Sequence, residues 1–165
     1  MNPESLDDLQ PEREVLGSLI LDEAVAALAA GLSAQDFEDL RHGLVFSAIR
    51  ELPRREAPVS LATVLEALKA HDPHGEVSTP YLIEIAESVT SSSHARYHAK
   101  IVTERSFRRR AALLLERASK EIQETDVGQG QVYEALERLK AELPAPGTAG
   151  DPPGSIETVC LADVE

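Results

Sequence analysis

The sequence predicts an all-α protein, a compact helical bundle followed by a helical hairpin. Three observations carry that reading. Apolar residues recur at i, i+3, i+4 and i+7 in one segment after another, the period of a helix with one buried face. Leu and Ala supply the apolar mass, while aromatics make up 4% of the chain and Trp is absent. That composition favours helices over strands, which draw on β-branched and aromatic residues. Prolines stand at the edges of the periodic stretches rather than inside them, as helix punctuation requires. No alternating strand pattern of useful length and no internal repeat interrupts this.

The elements follow in order. Pro11 opens a first helix with the stripe Val15, Leu16, Leu19 and Ile20,. Ser33-Ala34-Gln35-Asp36 places a hydroxyl three residues before a carboxylate, close to a capping box, and predicts a short helix through Phe37 and Leu40,. Val45, Ile49 and Leu52 repeat at i, i+4, i+7 until Pro53 stops that helix,. Ser60 caps the next, with the stripe Leu61, Val64, Leu65 and Leu68, which runs out at the turn Asp72-Pro73-His74-Gly75,. Thr79 is a cap with Pro80 at the first helical position, ahead of Leu82, Ile85, Ala86 and Val89,.

Ser91-Ser92-Ser93 precedes a long helical stretch from about His94 to Glu124, readable as one helix or two. Its second half carries Phe107, Ala111, Leu114, Leu115, Ala118 and Ile122 at helical spacing. Val127-Gly128-Gln129-Gly130 reads as a turn, and a last helix carries Val132, Leu136, Leu139 and Leu143 on one face. A short connection makes the two final helices antiparallel neighbours. The expected organisation is a disordered start over 1–10, the bundle over 11–105, the hairpin over 106–143 and a Pro/Gly linker over 144–154,. The tail over 155–165 reads as more linker or as the beginning of a further C-terminal domain.

A two-helix hairpin cannot bury both of its stripes by itself. Phe107, Leu114, Ile122, Val132, Leu136, Leu139 and Leu143 are therefore the candidate oligomer interface,. Basic residues gather on the same long stretch, and Arg105, Arg108 and Arg109 share a face at i, i+3, i+4,. That face is either a solvated surface paired with Glu104 and Glu116, a contact for an acidic partner, or a phosphate contact. Phe107 is the one aromatic among these arginines, which gives bases little to stack on,.

The formal net charge is −13, which repels phosphate and argues for weak or no direct nucleic-acid binding. A single cysteine, Cys160, allows neither an internal disulfide nor a cysteine zinc site,. The longest apolar run, Ala24 to Ala30, is too short to span a bilayer,. The acidic start is unlike a signal peptide, so the expected location is cytoplasmic.

Little in the sequence points to chemistry. Nothing matches a phosphate-binding G-x-x-x-x-G-K-[ST] loop or a G-x-G-x-x-G turn,, so no catalytic residue, cofactor site or metal site is assigned. His94 and His98 are four apart, as zinc ligands can be, without a third ligand or the glutamate of H-E-x-x-H,. His71, Asp72 and His74 fall in a turn and read as solvated. His42 reads as a structural histidine at a helix junction. Glu12 and Glu14 sit at a helix start, where carboxylates favour the macrodipole; Asp22 and Glu23 read as a solvated face.

The order of the motifs resembles the N-terminal domain of DnaB-type replicative helicases or of related phage and plasmid replication ATPases. Pro11-Glu12-Arg13-Glu14-Val15-Leu16-Gly17 is similar to the family's opening, a proline and glutamate leading into V-L-G. Asp36-Phe37 resembles its D-F element, and His42-Gly43-Leu44-Val45-Phe46-Ser47-Ala48-Ile49 its H-x-x-I-F-x-A-I helix. Pro58-Val59-Ser60, Thr63-Val64, Tyr81-Leu82 and Ala99-Lys100-Ile101-Val102-Thr103-Glu104 continue the likeness to about Arg110. Ser60 stands where the family usually has Asp, Thr79-Pro80 where it often has Gly-Gly, and His98 where it usually has Tyr.

The resemblance implies a non-catalytic assembly domain. Its hairpins would pair, as dimers or as a hexameric collar, and its bundle would receive primase or a helicase loader. ATP, magnesium and 5′-to-3′ unwinding would belong to a separate C-terminal motor domain. A helicase-binding domain of a primase and a helical DNA-binding regulator stay open as alternatives.

Overall fold

The computed structural model describes residues 9–89, 91–123 and 128–143. Among them every regular element is helical and no strand occurs. The helices are α1 Gln10–Leu21, α2 Leu40–Glu51, α3 Leu61–His71, α4 Thr79–Glu87, α5 Ala95–Gln123 and α6 Gln129–Glu142. Short 3-10 segments join them at Glu23–Gly31, Ala34–Asp36, Leu52–Arg55 and Ser92–His94. Residues 1–8 of the expected disordered start and the expected segments 144–154 and 155–165, with Cys160, lie outside the described residues, while Gln10, expected in that start, already opens α1.

Several helices begin where side chains can satisfy free backbone N–H groups. Asp39 accepts from the Arg41 N–H at the head of α2. Ser60 and Thr63 exchange bonds at the head of α3, the Thr63 N–H reaching Ser60 Oγ and the Ser60 N–H reaching Thr63 Oγ1. The cap of α4 is Ser78 rather than Thr79, its hydroxyl accepting from the Tyr81 N–H. The expected helix through Phe37 and Leu40 is only the 3-10 turn Ala34–Asp36. Phe37 is extended instead (φ −82°, ψ 138°), which buries its ring 5.0 Å from that of Phe46. Of the expected turn over 127–130, the last two residues belong to α6. Gly128 donates its N–H to Gln131 Oε1 and caps α6, so Gly130 is already helical.

α1 is the central helix and packs against α2, α4 and α5. Val15 and Leu16 of α1, Val45 and Phe46 of α2, Val64 of α3, and Leu82 and Ile85 of α4 are fully buried. Each such side chain contributes about 1.5–3 kcal/mol relative to exposure. The long helical stretch is one helix: α5 runs 29 residues without a break, roughly 43 Å at 1.5 Å per residue. Its first half joins the bundle core through Ala99 and Val102, and its second half leaves the bundle and pairs with α6.

Candidate functional site

In the hairpin the buried positions are alanines, Ala118 of α5 and Ala135 of α6. The larger apolar residues are left nearer the surface. Phe107 is 39% exposed and Leu136 46%; Leu114, Ile122, Val132, Leu139 and Leu143 are half-buried. Leu114 and Leu139 line the crease between the two helices. Sequence periodicity did not single out Leu113 or Tyr133, which are 66% and 65% exposed, and Leu115, which it placed on the α5 stripe, is 56% exposed. Arg117–Glu142 and Arg138–Glu121 ion pairs bracket the crease. Both are exposed, so they set alignment more than stability.

The basic face divides. Arg108 is exposed and Arg105 half-buried. Arg109 reaches back to the bundle, with its guanidinium 2.6 Å from the Asp36 carbonyl oxygen and 3.2 Å from Glu38 Oε2. Arg110 lies 3.3 Å from Asp36 Oδ1. Asp36 holds this junction together. Its Oδ2 accepts from the Ser33 N–H and hydroxyl, while its Oδ1 accepts from the buried Ser106 hydroxyl at 2.6 Å.

A buried polar chain fastens α1, α2 and α4. The Glu12 carboxylate is not a mere macrodipole charge. It accepts from the backbone N–H of Glu38 at 2.6 Å and from His42 Nδ1 at 2.7 Å. His42, fully buried, meets the Tyr81 hydroxyl through Nε2 at 2.8 Å. Burial first, then the nearby Asp39 charge, pushes the Tyr81 phenol up. Asp39 is held below the usual carboxylate range: burial would raise it, but the Arg41 side chain and N–H outweigh that. Each side-chain polar atom of Glu12, His42 and Tyr81 has a hydrogen-bond partner within the bundle.

The other titratable candidates are also structural. Asp22 caps the Glu23–Gly31 segment through the Ala24 N–H and accepts from the Ser92 hydroxyl. The Ser92 bond and then the Ala24 bond hold it below the usual range. Glu14 accepts from Gln10. His71 is half-buried and pairs with Glu51 across to α2, and Asp72 accepts from the N–H groups of Glu76 and Val77. His74 and His94 are exposed and His98 half-buried. No group of three or more metal-ligating side chains gathers among the described residues. No helix among them is long and apolar enough to cross a membrane.

Comparison with known proteins follows this geometry. A family model described as the DnaB-like helicase N terminal domain matches residues 4–104. The replicative DNA helicase DnaC of Bacillus subtilis (strain 168) is 36% identical over 105 residues, which is 62% of this chain and 23% of that helicase. The replicative DNA helicase DnaB of Mycobacterium leprae (strain TN) is 31% identical over 140 residues, 82% of this chain and 23% of that protein. The crystal structure of the N-terminal domain of DnaB helicase from Mycobacterium tuberculosis matches with a TM-score of 0.71 at 29% identity, over 82% of this chain and 94% of that one. The two mycobacterial matches cover more of the chain than the family model does.

Proposed function

Because the chain belongs to the DnaB-like helicase N-terminal domain family, we propose that it works by protein contact, as the assembly and partner-docking part of a replicative DNA helicase. In this reading the hairpins pair with one another into dimers or a hexameric collar, and the bundle receives primase or a helicase loader. ATP hydrolysis, its magnesium and strand separation belong to a motor domain, and the protein acts in the cytoplasm.

One observation carries the assembly half. The hairpin buries alanines and exposes Phe107, Leu113, Leu115, Tyr133 and Leu136. Large apolar groups left in water favour association, and a symmetric pair would cover the same patch on both copies. The net charge of −13 opposes this at low salt,, so the contact should tighten as salt rises.

The test is sedimentation equilibrium of the full chain at moderate salt. The unaltered chain should self-associate. Tyr133→Asp with Leu136→Asp should shift it toward monomer. Tyr133→Lys with Leu136→Lys should do the same, which separates lost apolar contact from added negative charge. A strict monomer at high concentration, or an oligomer indifferent to both pairs of changes, would remove the hairpin from the interface.

A further inference from the structure

A groove of about 230 Å³ runs between the Glu23–Gly31 segment and the end of α2. Its floor is Leu19 and Ile49, both nearly fully buried. Its wall is Ala26, Ala29 and Ala30, and those methyl groups leave open the space that larger side chains would fill. Arg50 and Arg54 stand at the rim, both exposed. The nearby carboxylate of Glu51 is turned toward Arg55 and His71. In a chain of net charge −13, this is an apolar slot with a cationic edge.

We infer that this groove docks an acidic amphipathic helix of a partner protein. The volume lies below the roughly 300–1,000 Å³ of small-molecule sites and suits a few aliphatic side chains. Helices are read this way, through anchors one turn apart laid into an apolar groove. The arginines choose the sign of the flanking residues, since a guanidinium pairs with a carboxylate through two parallel N–H···O bonds. Arg50 is pre-positioned, with its guanidinium 3.3 Å from the Leu32 carbonyl oxygen and 5.9 Å from the centre of the Phe46 ring. Arg54 has no hydrogen-bond or ion-pair partner among the described residues, so its charge is available. A nucleic acid fits less well, because no aromatic face lines the groove for base stacking,.

The inference deepens the docking half of the proposed function and is independent of hairpin pairing. The probe is a short synthetic helix with leucines at i, i+4 and i+7 and glutamates beside them. A twin carries lysines for the glutamates, and a single-stranded oligonucleotide is the third ligand. Amide chemical shifts of the labelled full chain report binding and the fold together. The acidic peptide should perturb Ala26, Ala29, Ala30 and Arg54 and bind more tightly than the lysine twin. Arg54→Glu, an exposed change, should weaken it at least about tenfold. Ala29→Leu should fill the slot and do the same. Failure of the acidic peptide to bind, shifts that map elsewhere, indifference to Arg54→Glu, or preference for the lysine twin or the oligonucleotide would each overturn the assignment. If purified primase or loader binds the chain and its affinity survives both substitutions, the groove is overturned while the docking reading stands.

Discussion

Two glycines in helices give opposite expectations for the same substitution. In a helix open to water, Gly→Ala stabilises by roughly 0.5–1 kcal/mol, because alanine loses less backbone freedom on folding. Gly130, in the first turn of α6, meets that condition: a Cβ there has nothing within 4 Å. Gly17, on α1, does not. A Cβ there would lie 2.6 Å from Val89 Cγ2 and 2.7 Å from the Ile85 carbonyl oxygen. The valine can rotate aside, but the carbonyl belongs to α4, whose Leu82 and Ile85 are locked in the core. The methyl group therefore has to push two helices apart. Overpacking of this kind costs about 1–3 kcal/mol. Set against the propensity gain, Gly17→Ala should destabilise by roughly 0.5–2 kcal/mol.

Urea unfolding followed by far-ultraviolet circular dichroism checks this. With a slope of about 1–3 kcal/mol per molar urea, the midpoint of Gly17→Ala should fall by several tenths of a molar with the slope unchanged. Gly130→Ala should leave it level or raise it. Adding Val89→Ala to Gly17→Ala should give a favourable coupling of about 0.5–1.5 kcal/mol, but incomplete rescue, because the Ile85 carbonyl stays. A Gly17→Ala midpoint at or above that of the unaltered chain would refute the close helix contact.

Two further expectations rest on the buried and capping carboxylates. His42→Phe leaves Glu12 buried with its backbone donors but without its imidazole, and should destabilise by about 1–3 kcal/mol, the usual cost of leaving a buried polar group without one of its hydrogen-bond partners; the same urea titration measures it, and no loss at all would mean that water replaces the imidazole. Asp22 and Asp72 are held below the ordinary value of 3.8, Asp22 chiefly by the Ser92 hydroxyl and Asp72 chiefly by the Val77 N–H. A depressed folded value means stability that is present above 3.8 and lost as pH falls through the lower folded values,. Asp72→Asn should therefore flatten the acid limb of a stability–pH profile, and an unchanged limb would show that the 72–77 turn does not contribute to it.

The helices were legible because a 3.6-residue period survives in the apolar residues whatever they pack against. What periodicity cannot carry is the partner. Ser33-x-x-Asp36 was readable as a local cap, and the Asp36 Oδ2 bonds to Ser33 are there. Nothing nearby in sequence announces that its other oxygen takes the Ser106 hydroxyl from α5. Glu12 sits in a first turn, which suggests the macrodipole, yet its carboxylate crosses to Glu38 and His42. Glu12 and His42 each fall in a family-like motif, but nothing in either motif says that they meet. His71 and Asp72 read as solvated because a turn of Pro and Gly follows them, and a turn composition says nothing about Glu51 on another helix. The length of α5 was readable in principle, since no Gly or Pro falls between His94 and Gln123. The groove was not: Ala24 to Ala30 has the composition of a core segment, and only the fold shows that Ala26 and Ala30 are left exposed.

The unbroken α5 explains why the hairpin's apolar residues are not covered by its own bundle. Ala95, Ala99, Val102 and Ser106 bury one end of this helix, and Ala118 lies about three turns beyond,. A glycine or proline between them would allow a kink and a return onto the core; Phe107 to Leu115 offers none. Asp36 strengthens the constraint at the point of exit, since Ser106, Arg109 and Arg110 are all bound to it within two turns of helix. The hairpin therefore leaves the bundle in a direction set by the bundle, with Leu113, Leu115, Tyr133 and Leu136 facing water. Geometry of this kind makes intramolecular collapse costly, and under the proposed pairing a second hairpin is what would desolvate those residues. In that proposal the exposed leucines of α5 and the Asp36 bonds that fix its exit from the bundle act together.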